Sequence, residues 1–161
     1  EKYPKMTLEQ VLLVAEKKIR ELGFSNRISF RQADSEMLPF PDSGFDALTV
    51  AFGIRNFENL SKGLAEMNRA LKPGGVAVIL EFSKPCQFPV KQLFAFYFRF
   101  ILPLLGRLIS RHQAAYTYLP GSVQAFPQGA DLLNILRQAG FRDTKCIPLT
   151  FGITTLYTGI K

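Results

Sequence analysis

Two runs of this chain, FDALTVAF at residues 45–52 and VAVILEF at 76–82, are almost wholly apolar, and Leu60, Leu64, Met67 and Leu71 recur between them at helical spacing. Apolar runs of this length without polar alternation fit central strands covered on both faces. Such strands occur where helices flank a parallel sheet, so a strand–helix–strand unit limits what the chain can fold into. The helix should end at KPGG, residues 72–75, because Pro73 cannot continue it and the glycines permit a tight reversal.

The same alternation extends outward. Leu8, Val11, Leu12, Ala15, Ile19 and Leu22 mark a helix, with Gly23 where it would stop. RISF, residues 27–30 with an extension to Ala33, reads as a short strand. QGADLLNILRQAGF, residues 128–141, reads as a helix closed by Gly140. The last stretch, TKCIPLTFGITTLYTGI, reads as two strands joined near Phe151–Gly152, a hairpin at one edge of the sheet. The fold class is α/β, a largely parallel central sheet with a C-terminal antiparallel hairpin. A chain of 161 residues with 47% hydrophobic content suits one domain, residues 1–161.

The net charge of +7 is unevenly placed. Between Phe82 and Ala130 there is no Asp or Glu, whereas Lys84, Lys91, Arg99, Arg107 and Arg111 all fall there. The same region holds LFAFYFRFILPLLGRLI, residues 93–109, which Arg99, Pro103 and Arg107 interrupt too often for a membrane span. A basic, aromatic, strongly apolar segment suits a membrane surface or a lipid better than nucleic acid. A buried helix pair whose arginines reach the surface along their stems accounts for the same residues. Cys86 and Cys146 lie far apart, with neither metal-ligand spacing nor a histidine cluster, so reduced thiols and no metal are expected. No basic n-region followed by an apolar run opens the chain, which favours the cytoplasm.

In sheets of this kind ligands lie outside the carboxyl ends of the strands. Three such ends, Asp34–Ser35, Phe52–Gly53 with Arg55–Asn56 beyond, and Glu81 with Ser83, should converge on one small-molecule site. Asp34 could accept hydrogen bonds from a ligand such as an adenine amino group, or cap the turn that follows.

The stretch DSEMLPFPDSGFDALTVAFGIRNFENLSKGLAEMNRALKPGGVAVILEFSKP, residues 34–85, resembles the ubiquinone/menaquinone biosynthesis C-methyltransferases, the UbiE type. YTYLPGSVQAFP, AGF and GITTLYTGIK look like the same family's downstream pattern, so the resemblance covers residues 7–161. It implies a Rossmann-like class I methyltransferase fold, S-adenosylmethionine as cofactor, and C-methylation of a prenylated, demethylmenaquinol-like quinol. By position, Asp34 and Ser35 match residues at the adenosine end of the cofactor, and Ala51 and Phe52 match the strand end beneath it. Arg55 and Asn56 match the Arg–Asn pair beside the reacting ring. Residues 84–127 match a cap over the quinol, with Tyr116, Tyr118 and Ser122 facing it. His112, the single histidine, also falls in the cap, where it either touches substrate or is structural.

The resemblance lacks its opening. Enzymes of this fold begin with a strand and a glycine-rich turn, then a second strand ending in an acidic residue that holds the ribose. No G-x-G occurs in this sequence, and Met6-Thr7-Leu8 stand where the acid would be approached. Residues 1–6 read as a remnant or leader, and the chain as a fold truncated at its N-terminus. Sheet edges left uncovered would favour pairing with a second copy, a homodimer. Two readings follow: the larger part of a quinol C-methyltransferase, or a silent quinone- or lipid-binding module unable to hold S-adenosylmethionine alone.

Overall fold

The computed structural model describes residues 7–101, 104 and 121–161. Two compact units are distinguished, Glu1–Asp34 and Ser35–Lys161. The first contains α1 (Leu8–Glu21), which begins in a capping box. Thr7 Oγ1 accepts the Gln10 N–H at 3.3 Å and Gln10 Oε1 accepts the Thr7 N–H at 2.9 Å, satisfying two donors that a helix start leaves open. Gly23, at φ +74, carries the chain out of the helix as expected. Residues 28–33 are not the strand that RISF suggested. Its β-branched and aromatic residues suit a strand, but a strand exists only within a ladder, and among the described residues none pairs with this segment.

The second unit is built on a four-stranded sheet in the order β1 (Phe45–Ala51), β2 (Leu71–Phe82), β4 (Thr154–Ile160), β3 (Arg142–Leu149). The β1–β2 pair is parallel and the other two pairs are antiparallel, so the parallel character resides in the strand–helix–strand unit and the C-terminal hairpin adds its strands beside β2. The crossover is α2 (Leu60–Ala70), started by Asn59, whose side chain accepts the Lys62 N–H.

α2 ends just before KPGG and the chain turns there as expected, since β2 runs parallel to β1 and the helix between them runs back. The turn falls inside the bounds of β2 and leaves a bulge in the ladder: Phe45 lies opposite Leu71, yet Ala47 lies opposite Val76. Gly74 has φ +80. A Cβ on Gly75 would meet the Lys72 carbonyl at 2.9 Å and the Asp46 carbonyl at 3.1 Å, so only glycine fits there. The Gly74 N–H donates to the Lys161 carbonyl and the Lys161 N–H to the Gly75 carbonyl, both at 3.0 Å, which ties the bulge to the chain beyond β4.

The core fills one face of this sheet. Leu64 and Met67 of α2 and Leu132 and Leu136 of α4 (Ala130–Gln138) pack on Ala77 and Ile79 of β2 and Tyr157 of β4. On the other face Val76, Val78, Leu80 and Leu156 are half-buried, and Ala47, Thr49 and Ala51 of β1 are exposed. The expectation of strands covered on both faces therefore does not hold within this unit, because α2 and α4 both pack against the same side.

Arg69, in the last turn of α2, fixes the loop that leads to β1. Its guanidinium donates to the Leu38 and Phe40 carbonyls at 3.0 and 2.9 Å, to Asp42 at 2.6 Å, and twice to Glu66 at 2.8 Å. Glu66 also accepts the Leu38 N–H at 2.9 Å. The Arg69 hydrogen bond holds the Glu66 carboxyl below the usual range against the opposing effect of burial. A carboxyl whose folded pKa is lowered contributes stability above its unfolded pKa and loses it as pH falls through the folded value. Replacing Glu66 by Gln should therefore lower stability at neutral pH and flatten the decline below about pH 4, read as urea midpoints across an acid series.

Candidate functional site

The carboxyl end of β1 carries a constrained backbone. Phe52, the residue after the strand, lies in the left-handed region at φ +55, which a bulky side chain adopts at a cost of about 1 kcal/mol. Both of its backbone groups are satisfied: the N–H donates to the Leu80 carbonyl at 2.8 Å, and its carbonyl accepts Nη1 of Arg55 at 2.6 Å. The chain then enters a 3-10 turn, Ile54–Asn56, whose first residue is 1% exposed and anchors the turn in the core.

Arg55 is locked by this arrangement. Its Nη1 lies 2.7 Å from Oε1 of Glu81, and its backbone N–H donates to Oε2 of the same carboxylate at 3.4 Å. The guanidinium also sits 5.5 Å from the centroid of the Phe82 ring, which itself packs on Phe52 at 4.5 Å. The Glu81 side chain is 1% exposed and that of Arg55 11%. The carboxylate further accepts the Phe82 N–H at 3.0 Å. One atom is left over: Nε of Arg55 is buried with no hydrogen-bond partner among the described residues, a donor in need of an acceptor.

A concavity opens beyond the end of β2, against the β3–β4 hairpin. A cavity of about 450 Å³ is lined by Ser83, Gln128, Gly129, Phe151, Thr155 and Tyr157 among others. Ser83 Oγ lies 2.7 Å from Thr155 Oγ1 and donates to the Gly152 carbonyl at 2.9 Å, and the Tyr157 hydroxyl accepts the Gly129 N–H at 2.8 Å. Burial pushes the Tyr157 phenol up, and burial pushes the neighbouring Cys146 thiol up. Both are therefore neutral near pH 7; they can hydrogen-bond a ligand there but are poorly suited to removing its proton.

Two of the three strand ends expected to converge do so. Arg55 beyond β1 meets Glu81 at the end of β2, with Ala51 and Asn56 exposed, whereas Ser83 turns to Gly152 and Thr155. Asp34 closes the first unit, exposed, and Ser35 opens the second, half-buried. Ser35 precedes Glu36, whose carboxylate accepts the Asn59 N–H at 2.6 Å and faces Lys62 at 3.7 Å, so it stands near the start of α2. Ser122 lies in a helical stretch, residues 121–125, and its carbonyl accepts the Phe126 N–H. His112, Tyr116 and Tyr118 lie outside the described residues, as do residues 1–6. Sequence reasoning placed Glu81 at the rim but gave it no partner, and it did not single out Thr155 or Tyr157. A lone carboxylate inside VAVILEF was the available signal, since a buried acid needs a cation.

Removing the Glu81 carboxylate should leave Arg55 buried without a counter-charge. Glu81→Ala is expected to lower unfolding stability by about 3–5 kcal/mol, measured by urea denaturation. A loss under about 1 kcal/mol would place the pair in the class of solvated surface contacts.

The model of the ubiE/COQ5 methyltransferase family matches residues 6–161. A demethylmenaquinone methyltransferase of Bacteroides fragilis is 49% identical over 153 residues, 95% of this chain and 62% of the relative. The ubiquinone/menaquinone biosynthesis C-methyltransferase UbiE of Geobacter sulfurreducens is 46% identical over 95% of this chain and 59% of its own length. The chain thus spans about three fifths of the curated relatives it matches. Among solved structures, a SAM-dependent methyltransferase of Aquifex aeolicus superposes with a TM-score of 0.62 at 16% identity, over 94% of this chain and 64% of that one. A putative methyltransferase of Bacillus halodurans gives 0.63 at 20% identity, over 97% and 80%. These likenesses establish the class I methyltransferase fold, to which the sheet and its crossover conform. By sequence, over nearly its whole length, the chain belongs to the ubiE/COQ5 methyltransferase family.

Proposed function

We propose that the whole protein transfers a methyl group from S-adenosylmethionine to a ring carbon of a prenylated quinol, a demethylmenaquinol-like hydroquinone. The observation that carries this reading is the rim at the end of β1, where Arg55 is clamped by Glu81 yet keeps a buried Nε with no partner among the described residues. Family membership and the names of its relatives supply the reaction class. A binding module that does not hold the methyl donor is the second reading; identity of 49% to a methyltransferase over 95% of the chain favours the first.

The residues at this rim fit the cofactor. Ala51 is small and exposed, and the left-handed turn at Phe52 takes the chain away at once, so little side-chain bulk stands above the strand end. Ala51 and Phe52 would lie beneath S-adenosylmethionine, and Asp34 and Ser35 would hold its adenosine. When bound, it supplies a methyl group on a positively charged sulfur, ready for attack by carbon.

The chain's own residues then have two tasks. Arg55, fixed in place, would stabilise the negative charge that develops on a ring oxygen as its proton leaves, and Asn56 would orient the second hydroxyl. Alignment of two bound reactants contributes up to roughly 7–11 kcal/mol, so a rigid rim matters more than a strong base. Ser122, Tyr116, Tyr118 and His112 are proposed to face the quinol from the cap. A substrate with a polyprenyl tail resides in a bilayer, so the enzyme is proposed to work at the cytoplasmic surface of a membrane.

The test uses the whole protein with isotopically labelled S-adenosylmethionine and a short-chain demethylmenaquinol. Label should appear on the ring. Asn56→Ala, at an exposed position, should lower kcat by about 10²-fold, the scale set by one lost stabilising donor, with its thermal midpoint unchanged. Asp34→Ala should weaken cofactor binding in calorimetry. Absence of labelled product from any quinol overturns the proposal, and unchanged kcat in Asn56→Ala removes that residue from the site.

A further inference from the structure

Beyond β2 the chain turns into α3 (Val90–Phe96), continued by a π-helical turn, Tyr97–Ile101. This short helical rod is apolar on two sides. Phe94 and Phe98 are half-buried, their rings 4.2 Å apart, and line a slot of about 400 Å³ with Pro85 and Val123. Leu93, Phe96 and Phe100 point the other way and are 63%, 55% and 55% exposed, joined by Phe88 at 81% and Leu104 at 56%. Of these, the Phe96 and Phe100 rings lie 5.2 Å apart, and so much exposed apolar side chain on one short element is out of place in water.

Charge decides what covers it. Lys84, Lys91 and Arg99 rim the slot. Among the described residues none of the three forms an ion pair, and the sequence offers no Asp or Glu from 83 to 129. Lys84 Nζ donates to the Gln124 carbonyl at 2.8 Å, and Arg99 lies against the Phe100 ring. Three cations around an aromatic slot, beside exposed phenylalanines, complement an amphiphile with an anionic phosphate head and a hydrocarbon tail.

We infer that α3 and its π-helical continuation lie in the interface of an anionic bilayer, with one phospholipid phosphate held between Lys84, Lys91 and Arg99 and the start of its acyl chain along Phe94 and Phe98. Leu93, Phe96 and Phe100 enter the boundary between headgroups and acyl chains. The inference deepens the membrane-surface part of the reading above by naming the element and the lipid charge. It is independent of the catalytic part, because vesicle binding is read without turnover.

The test is co-sedimentation of the whole protein with vesicles of phosphatidylcholine, alone or mixed with phosphatidylglycerol, at low and high salt. Binding should require phosphatidylglycerol and weaken with salt. The Lys91→Gln/Arg99→Gln variant should lose about twenty- to thirty-fold in partitioning, from about five-fold per cation at an anionic surface. A charge-matched control, Lys18→Gln/Lys145→Gln, exposed and remote from the slot in sequence, should lose much less. Phe96→Ser/Phe100→Ser should lose binding while keeping its thermal midpoint, since both rings are already exposed. Equal binding to neutral vesicles overturns the inference, as does an equal loss in the control, which would reduce the effect to net charge. Duplex DNA binding without vesicle binding would assign the surface to nucleic acid and overturn it as well.

Discussion

The ion pair between Arg55 and Glu81 holds the carboxyl ends of β1 and β2 in shape. Neither partner has much access to water, so their attraction is felt in a medium far less screening than solvent, and each is costly to leave alone. The pair exists because β1 and β2 run parallel and in register: Ala51 stands opposite Leu80, which places the next residue of β2 beside the turn that leaves β1. Glu81 then takes the backbone N–H and the guanidinium of Arg55, and Arg55 takes the carbonyl of Phe52. A left-handed phenylalanine is kept in place by a carboxylate on the neighbouring strand. The core contributes from below through Ile54, fully buried in the same turn.

Much of the second unit was legible because its signals are local. The helical spacing of Leu60, Leu64 and Met67 and the apolar runs on either side fixed α2, β1 and β2, and Phe151–Gly152 marked the hairpin where the structure turns. The failures are all non-local. RISF has strand composition, but composition cannot supply the neighbour a ladder requires. At KPGG the local rule favoured a reversal and the chain does turn, but only the register shows that the turn falls inside the bounds of β2. FDALTVAF reads as doubly covered, but within this unit the cover depends on where α2 and α4 pack, and both pack on one side. Within the site, Arg55 and Asn56 stood out by resemblance and position, whereas the partner of Arg55 lies 26 residues away and nothing short of the sheet register identifies it.

Lys84 belongs to both concavities, the one beneath the hairpin and the one along α3. It follows the end of β2 closely, so the strand that supplies Glu81 also delivers the chain to the basic, aromatic rod. The two neighbouring cavities differ in what lines them. One is edged by hydroxyls of serine, threonine and tyrosine, the other by phenylalanines and cations. The polarity changes within a few residues of chain.

The clamp that Arg69 places on the loop before β1 bears on how this family can vary. Loops are usually where homologous chains lengthen or shorten freely. Here a single guanidinium reaches the carbonyls of Leu38 and Phe40 and the carboxylates of Asp42 and Glu66, and two prolines stiffen the path between them. One residue added to or taken from LPFPD would pull those acceptors out of reach together. The segment is accordingly a fixed spacer, and divergence there should proceed by exchange of side chains at constant length.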